Sequence, residues 1–139
     1  MRGLMAQEGL PYGERTHTFN SRLAQELGAW ATTQVDGEGI HEALFHAYFV
    51  AGKNIGHIDT LVEVAEAVGL PGSEARQALV SRRFKDTVDT DWQRARRLGV
   101  TGVPTFVAQE RGVVGAQPYE ILERLVVLAG AERRDAPAM

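Results

Sequence analysis

The sequence predicts an α/β protein that is mostly helical: four or five helices, then strand, strand, helix. Three observations predict it. Apolar residues recur at helical spacing from about residue 20 to Leu98. The stretch from Leu98 to Pro118 then breaks that period with a loop, two short β-branched runs and a turn. Finally, 139 residues that are 44% hydrophobic and 24% charged suffice for one globular domain with a core.

Arg2 to Glu8 reads as the tail of a helix stopped by Gly9 and Pro11, and Pro11-Tyr-Gly13 reads as a turn. Asn20 or Ser21 can cap a helix running to about Val35, with Leu23, Leu27, Trp30 and Ala31 inward. Asp36-Gly-Glu-Gly39 breaks it. The strongest periodic signal follows over Ile40 to Ala51. Ile40, Leu44, Ala47, Tyr48 and Ala51 share one face, and Phe45 and Phe49 form a second stripe, so this helix is expected to be buried between neighbours. Gly52 to Gly56 ends it. Asp59 sits in the first turn of a helix through Val68, where negative charge is favourable. Gly69 to Gly72 is a loop, and Ser73 is expected to cap a helix to about Ser81. A long helix covers Lys85 to Leu98, with Val88, Trp92, Ala95 and Leu98 on one face.

Gly99 suits the left-handed cap of that helix. Pro104 lacks an N–H and restricts Val103 to an extended shape. Thr105 to Ala108 has the composition of a buried strand. Glu110-Arg111-Gly112 supplies a turn with positive φ expected at glycine. Val113-Val114 begins the return strand. Gln117-Pro118 opens a helix to about Ala129, with Pro118 at its first position and Glu120 near its free N–H groups. Glu132 to Met139 is charged and small, as a disordered tail would be.

Gly-Val-Thr-Gly-Val-Pro-Thr-Phe over residues 99–106, then Gly-Ala-Gln-Pro over 115–118 and an amphipathic helix, resembles the C-terminal half of DsbA-like thioredoxin-fold oxidoreductases, the FrnE-like subgroup most. The Ala-Leu-Phe-His-Ala-Tyr-Phe run of residues 43–49 resembles that subgroup's helical insertion. The resemblance implies a partial thioredoxin-like fold: a DsbA-type helical insertion over 1–98, a ββα unit over 99–130 and a tail over 131–139. It also implies a cis bond before Pro104, whereas the residues alone suit a trans proline at a strand entry. A cis bond is found at only about 5–6% of X–Pro steps in folded proteins. In such proteins the backbone before the proline pairs with an extended substrate, which makes Gly102, Val103 and Pro104 the substrate-binding candidates.

The resemblance further implies a Cys-x-x-Cys in an N-terminal strand–helix–strand unit. This sequence contains no cysteine. Disulfide exchange needs a thiolate to attack sulfur, so the chain is expected to run no such chemistry alone. Three functions therefore compete: an oxidoreductase family member, a non-catalytic peptide-binding or assembly module, and a remnant of the related glutathione-using kappa transferases and chromene-carboxylate isomerases. That last branch typically places an Asp-Arg pair after the second strand, where this chain has Ala116 and Gln117.

No catalytic residue, cofactor or metal site is expected. His41 and His46 lie five apart on one helix, which does not suit shared ligation, and His17 and His57 stand apart. Arg82-Arg83 and Arg96-Arg97 read as solvated faces among acidic neighbours. Ser21 has no base at recognisable spacing, although Asn20 and Ser21 could meet a peptide or thiol ligand. A net charge of −3 argues against a nucleic-acid partner. The apolar runs are too short to span a membrane, and without a leader-like start the chain is expected to be cytoplasmic. Thr105 to Ala108 is expected to be a free, apolar edge, and such edges pair with other chains. The expected partner is a second copy of this chain, joined edge to edge or by exchanged helices, and a separate polypeptide carrying the strand–helix–strand is the alternative.

Overall fold

The computed structural model describes residues 2–14 and 16–132. It contains seven α-helices and a two-stranded antiparallel sheet in that described part: α1 Arg2–Gln7, α2 Arg22–Ala31, α3 Ile40–Phe45, α4 Ile58–Ala67, α5 Gly72–Val80, α6 Lys85–Arg97, β1 Thr105–Ala108, β2 Arg111–Val114 and α7 Tyr119–Leu128. Six helices precede the strands where four or five were expected, and the order of helices, strand, strand, helix is the expected one. The chain divides into two compact units, Met1–Trp92 and Gln93–Met139, the boundary falling inside α6. The tail expected over 131–139 lies, from residue 133 on, outside the described residues.

The first unit has a continuous apolar core. Leu27, Ile40, Leu61 and Leu79, one from each of α2 to α5, are essentially sealed from solvent, and Trp30 packs with them. These are inward positions that helical periodicity selects, because residues three and four apart share a face.

Several boundaries differ from expectation for local reasons. Helix α2 ends at Ala31, not Val35. Thr32 and Thr33 turn their hydroxyls back onto the carbonyls of Ala29 and Trp30 at 2.8 and 2.7 Å, Asp36 takes a positive φ of 62°, and Val35 points into water. The helix expected over Ile40–Ala51 is α-helical only to Phe45, and a π turn, His46–Val50, follows. Phe45, at the end of the α-helical part, is 62% exposed and Phe49, within the π turn, is only half-buried, so the second stripe is not sealed. Ser73 does not cap α5: Pro71 occupies the cap position and the helix begins at Gly72. In α6, Val88 is buried but Leu98 is 60% exposed.

In the second unit, β1 and β2 pair in the register Thr105↔Val114, Phe106↔Val113, Val107↔Gly112 and Ala108↔Arg111, and α7 packs on both strands. Gly99 has a φ of 71° and ends α6 with its N–H on the Arg96 carbonyl and that of Val100 on the Ala95 carbonyl. The positive φ of the hairpin falls at Gln109, at 54°, and not at Gly112, which lies inside β2. A two-residue hairpin needs that geometry at its first loop position. Gln109 holds it with a side-chain amide that donates to the Ala129 carbonyl at the end of α7, at 2.6 Å. Phe106 and Val107 are 38% and 53% exposed, so β1 is not the buried strand its composition suggests.

Candidate functional site

Gly102, Val103 and Pro104 form the loop that enters β1. Thr105 donates its hydroxyl to the Gly102 carbonyl at 2.6 Å, which closes the loop on itself. A Cβ at Gly102 would press on the Val114 side chain, so a small residue suits the place. The Val103–Pro104 peptide is cis. The Pro104 carbonyl accepts the Gly115 N–H at 2.8 Å. Val103 is 89% exposed, and neither its N–H nor its carbonyl takes a hydrogen bond among the described residues.

The Pro104–Gly115 bond sets which way each backbone group points. In an antiparallel ladder, bonded and non-bonded residue pairs alternate. Pro104 faces β2, so Phe106 and Ala108 do too, and Thr105 and Val107 turn their N–H and C=O groups to the other side. No strand lies there among the described residues. The open groups of Val103 lie in the loop just before that edge. This alternation is not readable from the sequence, because it depends on the register and not on side-chain pattern.

The other candidates are placed as follows. Asn20 accepts the Arg22 N–H at 2.8 Å, and the Ser21 hydroxyl accepts from the Gln25 amide at 2.9 Å, so both serve the start of α2. His17 stacks on Phe19, His41 lies against Gly28 and His57 stands at the N-cap position of α4 without a side-chain cap bond, with no metal-holding group among the described residues. Gln117 donates to the Val114 carbonyl at 2.7 Å and so caps its own strand end.

One cluster in the first unit escaped the sequence reading. Glu26 is only 2% exposed and accepts bonds from both Nε and Nη2 of Arg82, at 2.8 and 2.6 Å, and from Nε of Arg22 at 3.1 Å. Arg82 keeps 43% of its side chain open to solvent, as expected of a solvated face, while its guanidinium reaches this carboxylate. Its backbone takes a positive φ of 54°. Arg22 also binds Asp89 and the Lys85 carbonyl, and its guanidinium lies 5.0 Å from the centre of the Trp92 ring, whose indole N–H donates to Gln25 at 2.6 Å. Hydrogen bonds from Arg82, then from Arg22, hold the Glu26 carboxyl below its ordinary value against the opposing effect of burial. Lys85 and Arg22 do the same for Asp89.

A helical bundle joined to a ββα hairpin unit, with an exposed X–Pro loop at the entry to the first strand, defines a thioredoxin-like protein of the kind that carries a helical insertion. Comparison with known proteins makes this specific. The family model described as DSBA-like thioredoxin domain matches residues 1–127, and the chain belongs to that family. The uncharacterized protein YwbO of Bacillus subtilis (strain 168) is 32% identical over 105 residues, which cover 75% of this chain and 52% of that protein. The crystal structure of a probable DsbA oxidoreductase from Streptomyces coelicolor superposes with a TM-score of 0.79 at 29% identity, covering 99% of this chain and 60% of that one. The chain thus spans about half the length of the curated relative it matches. Its fold is a partial thioredoxin-like fold of the DsbA type, mostly helical with a two-stranded antiparallel sheet. No described helix is long and apolar enough to cross a membrane.

Proposed function

We propose that this chain is the substrate-facing portion of a protein disulfide oxidoreductase of the FrnE-like kind, with residues 1–98 as the helical insertion and 99–130 as the closing ββα unit. Within it, Val103 pairs through its backbone with an extended peptide, and Gly102 and Pro104 shape the loop that presents it. The observation that supports this reading is an 89% exposed Val103 whose N–H and carbonyl take no hydrogen bond among the described residues, at the entry to a strand whose Thr105 and Val107 turn their backbone groups away from β2. An extended chain adds to such an edge by main-chain hydrogen bonds.

The chain itself supplies no sulfur nucleophile, since it contains no cysteine. Exchange would need two thiols from outside these 139 residues, one attacking the substrate disulfide and the other resolving the mixed disulfide. Alone, the chain is a peptide-binding module. The likeness to a probable DsbA oxidoreductase supports the redox reading over the glutathione-using branch, as do Ala116 and Gln117, which offer no ion pair.

The test is amide exchange on labelled chain. An extended peptide slows exchange at the Val103 N–H, and N-methylating the peptide amides that face the edge abolishes the effect. Binding that leaves Val103 unchanged contradicts the reading. In an insulin-reduction assay with dithiothreitol, the purified chain adds no turnover above background, and clear turnover contradicts the claim that it lacks exchange chemistry.

A further inference from the structure

The Gly102 carbonyl and the Val103 N–H are the two ends of one peptide group. That group is planar and trans, so its carbonyl and its N–H point in opposite directions. Whatever holds the carbonyl therefore aims the N–H. The Thr105 hydroxyl holds it, donating at 2.6 Å from a half-buried position at the start of β1. No backbone N–H donates to this carbonyl among the described residues. The plane needs such a hold. Its rotation turns on ψ of Gly102 and φ of Val103, and glycine, with no Cβ, restricts its own dihedrals least. A Cβ at Gly102 would lie 3.3 Å from Cγ1 of Val114, so the close packing of the loop demands the residue that leaves the plane loosest. On the other side of Val103, the Pro104 carbonyl is fixed on the Gly115 N–H at 2.8 Å. Two anchors thus bracket Val103.

We propose that Thr105 is a positioning residue for peptide capture: its hydroxyl, by pinning the Gly102 carbonyl, aims the Val103 N–H at the incoming chain. The role rests on the reading of Val103 as the group that pairs with an extended peptide. The Thr105 hydroxyl acts through the Gly102–Val103 plane and does not itself bond to the peptide. A donor fixed before binding loses less freedom when the partner arrives, and the binding equilibrium gains by that amount. A hydroxyl that merely closed the loop would contribute to the stability of the hairpin and leave the direction of the Val103 N–H unchanged. Direction and affinity are therefore the quantities that separate the two roles.

The test compares the isotopically labelled parent chain with Thr105→Val, which keeps the branched shape and removes the donor, and with Thr105→Ser, which keeps the donor. The probe is a short peptide of alternating threonine and valine with a lysine at each end, since β-branched residues favour an extended shape. Residual dipolar couplings, measured first without peptide, give the direction of the Val103 N–H relative to the amides of the hairpin. Thr105→Val is expected to turn or disorder that N–H, and Thr105→Ser to restore the parent direction. On titration, Thr105→Val is expected to bind the peptide about two- to ten-fold more weakly, the worth of one neutral hydrogen bond, and Thr105→Ser to bind as the parent does. A folded Thr105→Val that keeps the parent direction overturns the proposal, and so does a turned N–H with the parent's affinity. Either result leaves the peptide reading standing if the parent's Val103 N–H is protected by the probe. No protection there in the parent overturns the peptide reading instead, and this role falls with it. If Thr105→Val does not fold, the unaltered chain decides: the Thr105 hydroxyl proton is expected to exchange with water at least ten-fold more slowly than that of exposed Thr101, and equal rates overturn the proposal.

Discussion

Glu26 concentrates the electrostatics of the first unit. A carboxylate at 2% exposure is tolerated because two guanidinium groups satisfy both its oxygens. Its pKa is held below 4.5 in the folded state and is ordinary in the unfolded one, and Asp89 is likewise held below 3.8. Their contribution is therefore complete above about pH 5.5 and is lost as pH falls through 4.5 and below, where the unfolded chain takes up protons first. Glu26→Gln leaves two cations facing a neutral amide. It is expected to cost about 1–3 kcal/mol at pH 7 and to flatten the decline in stability between pH 5.5 and 3.5. Urea unfolding across that range checks both effects, and a variant as stable and as acid-sensitive as the parent would refute the clamp. Glu26 was not legible in the sequence because it sits beside Leu27 within an apolar stripe, and Arg82 comes from 56 residues away.

At the scale of elements, helical periodicity served well where one face meets a core, as in α2, α4 and α5. It failed at His46–Val50, because a π turn uses the same residue types as an α-helix and differs only in its hydrogen bonding. The turn has a partner in the chain before it. The Gly13 N–H donates to the Phe49 carbonyl at 2.9 Å, and Tyr12 stacks with Phe49 at 6.3 Å between ring centres. A Cβ at Gly13 would collide with the Val50 carbonyl oxygen. Gly13→Ala is thus expected to lift residues 10–14 off the turn and cost about 1–3 kcal/mol, in the manner of overpacking. Limited proteolysis should then cut near residue 12 several times faster, and an unchanged digestion rate would count against this packing. The hairpin was legible in outline from Gly99, Pro104 and the valine-rich runs. Its positive φ was assigned to Gly112 because glycine is the usual host, whereas Gln109 bears it through a contact with α7 that no local pattern encodes.

For the whole molecule, the contrast between the two units matters most. The first closes a core from four helices, and the second, among the described residues, exposes apolar side chains around a two-stranded sheet. Cysteine content and the Gly102–Pro104 motif were readable from composition and order. The direction of each backbone group along β1 was not, since it needs the register. The central claim is that Val103 presents unpaired main-chain groups to an extended partner. Hydrogen exchange at the Val103 amide, measured with and without an extended peptide, tests it most directly. Fast exchange is expected in the free chain and at least ten-fold protection when the peptide is bound. Strong protection without any partner, or none with the peptide bound, would contradict it.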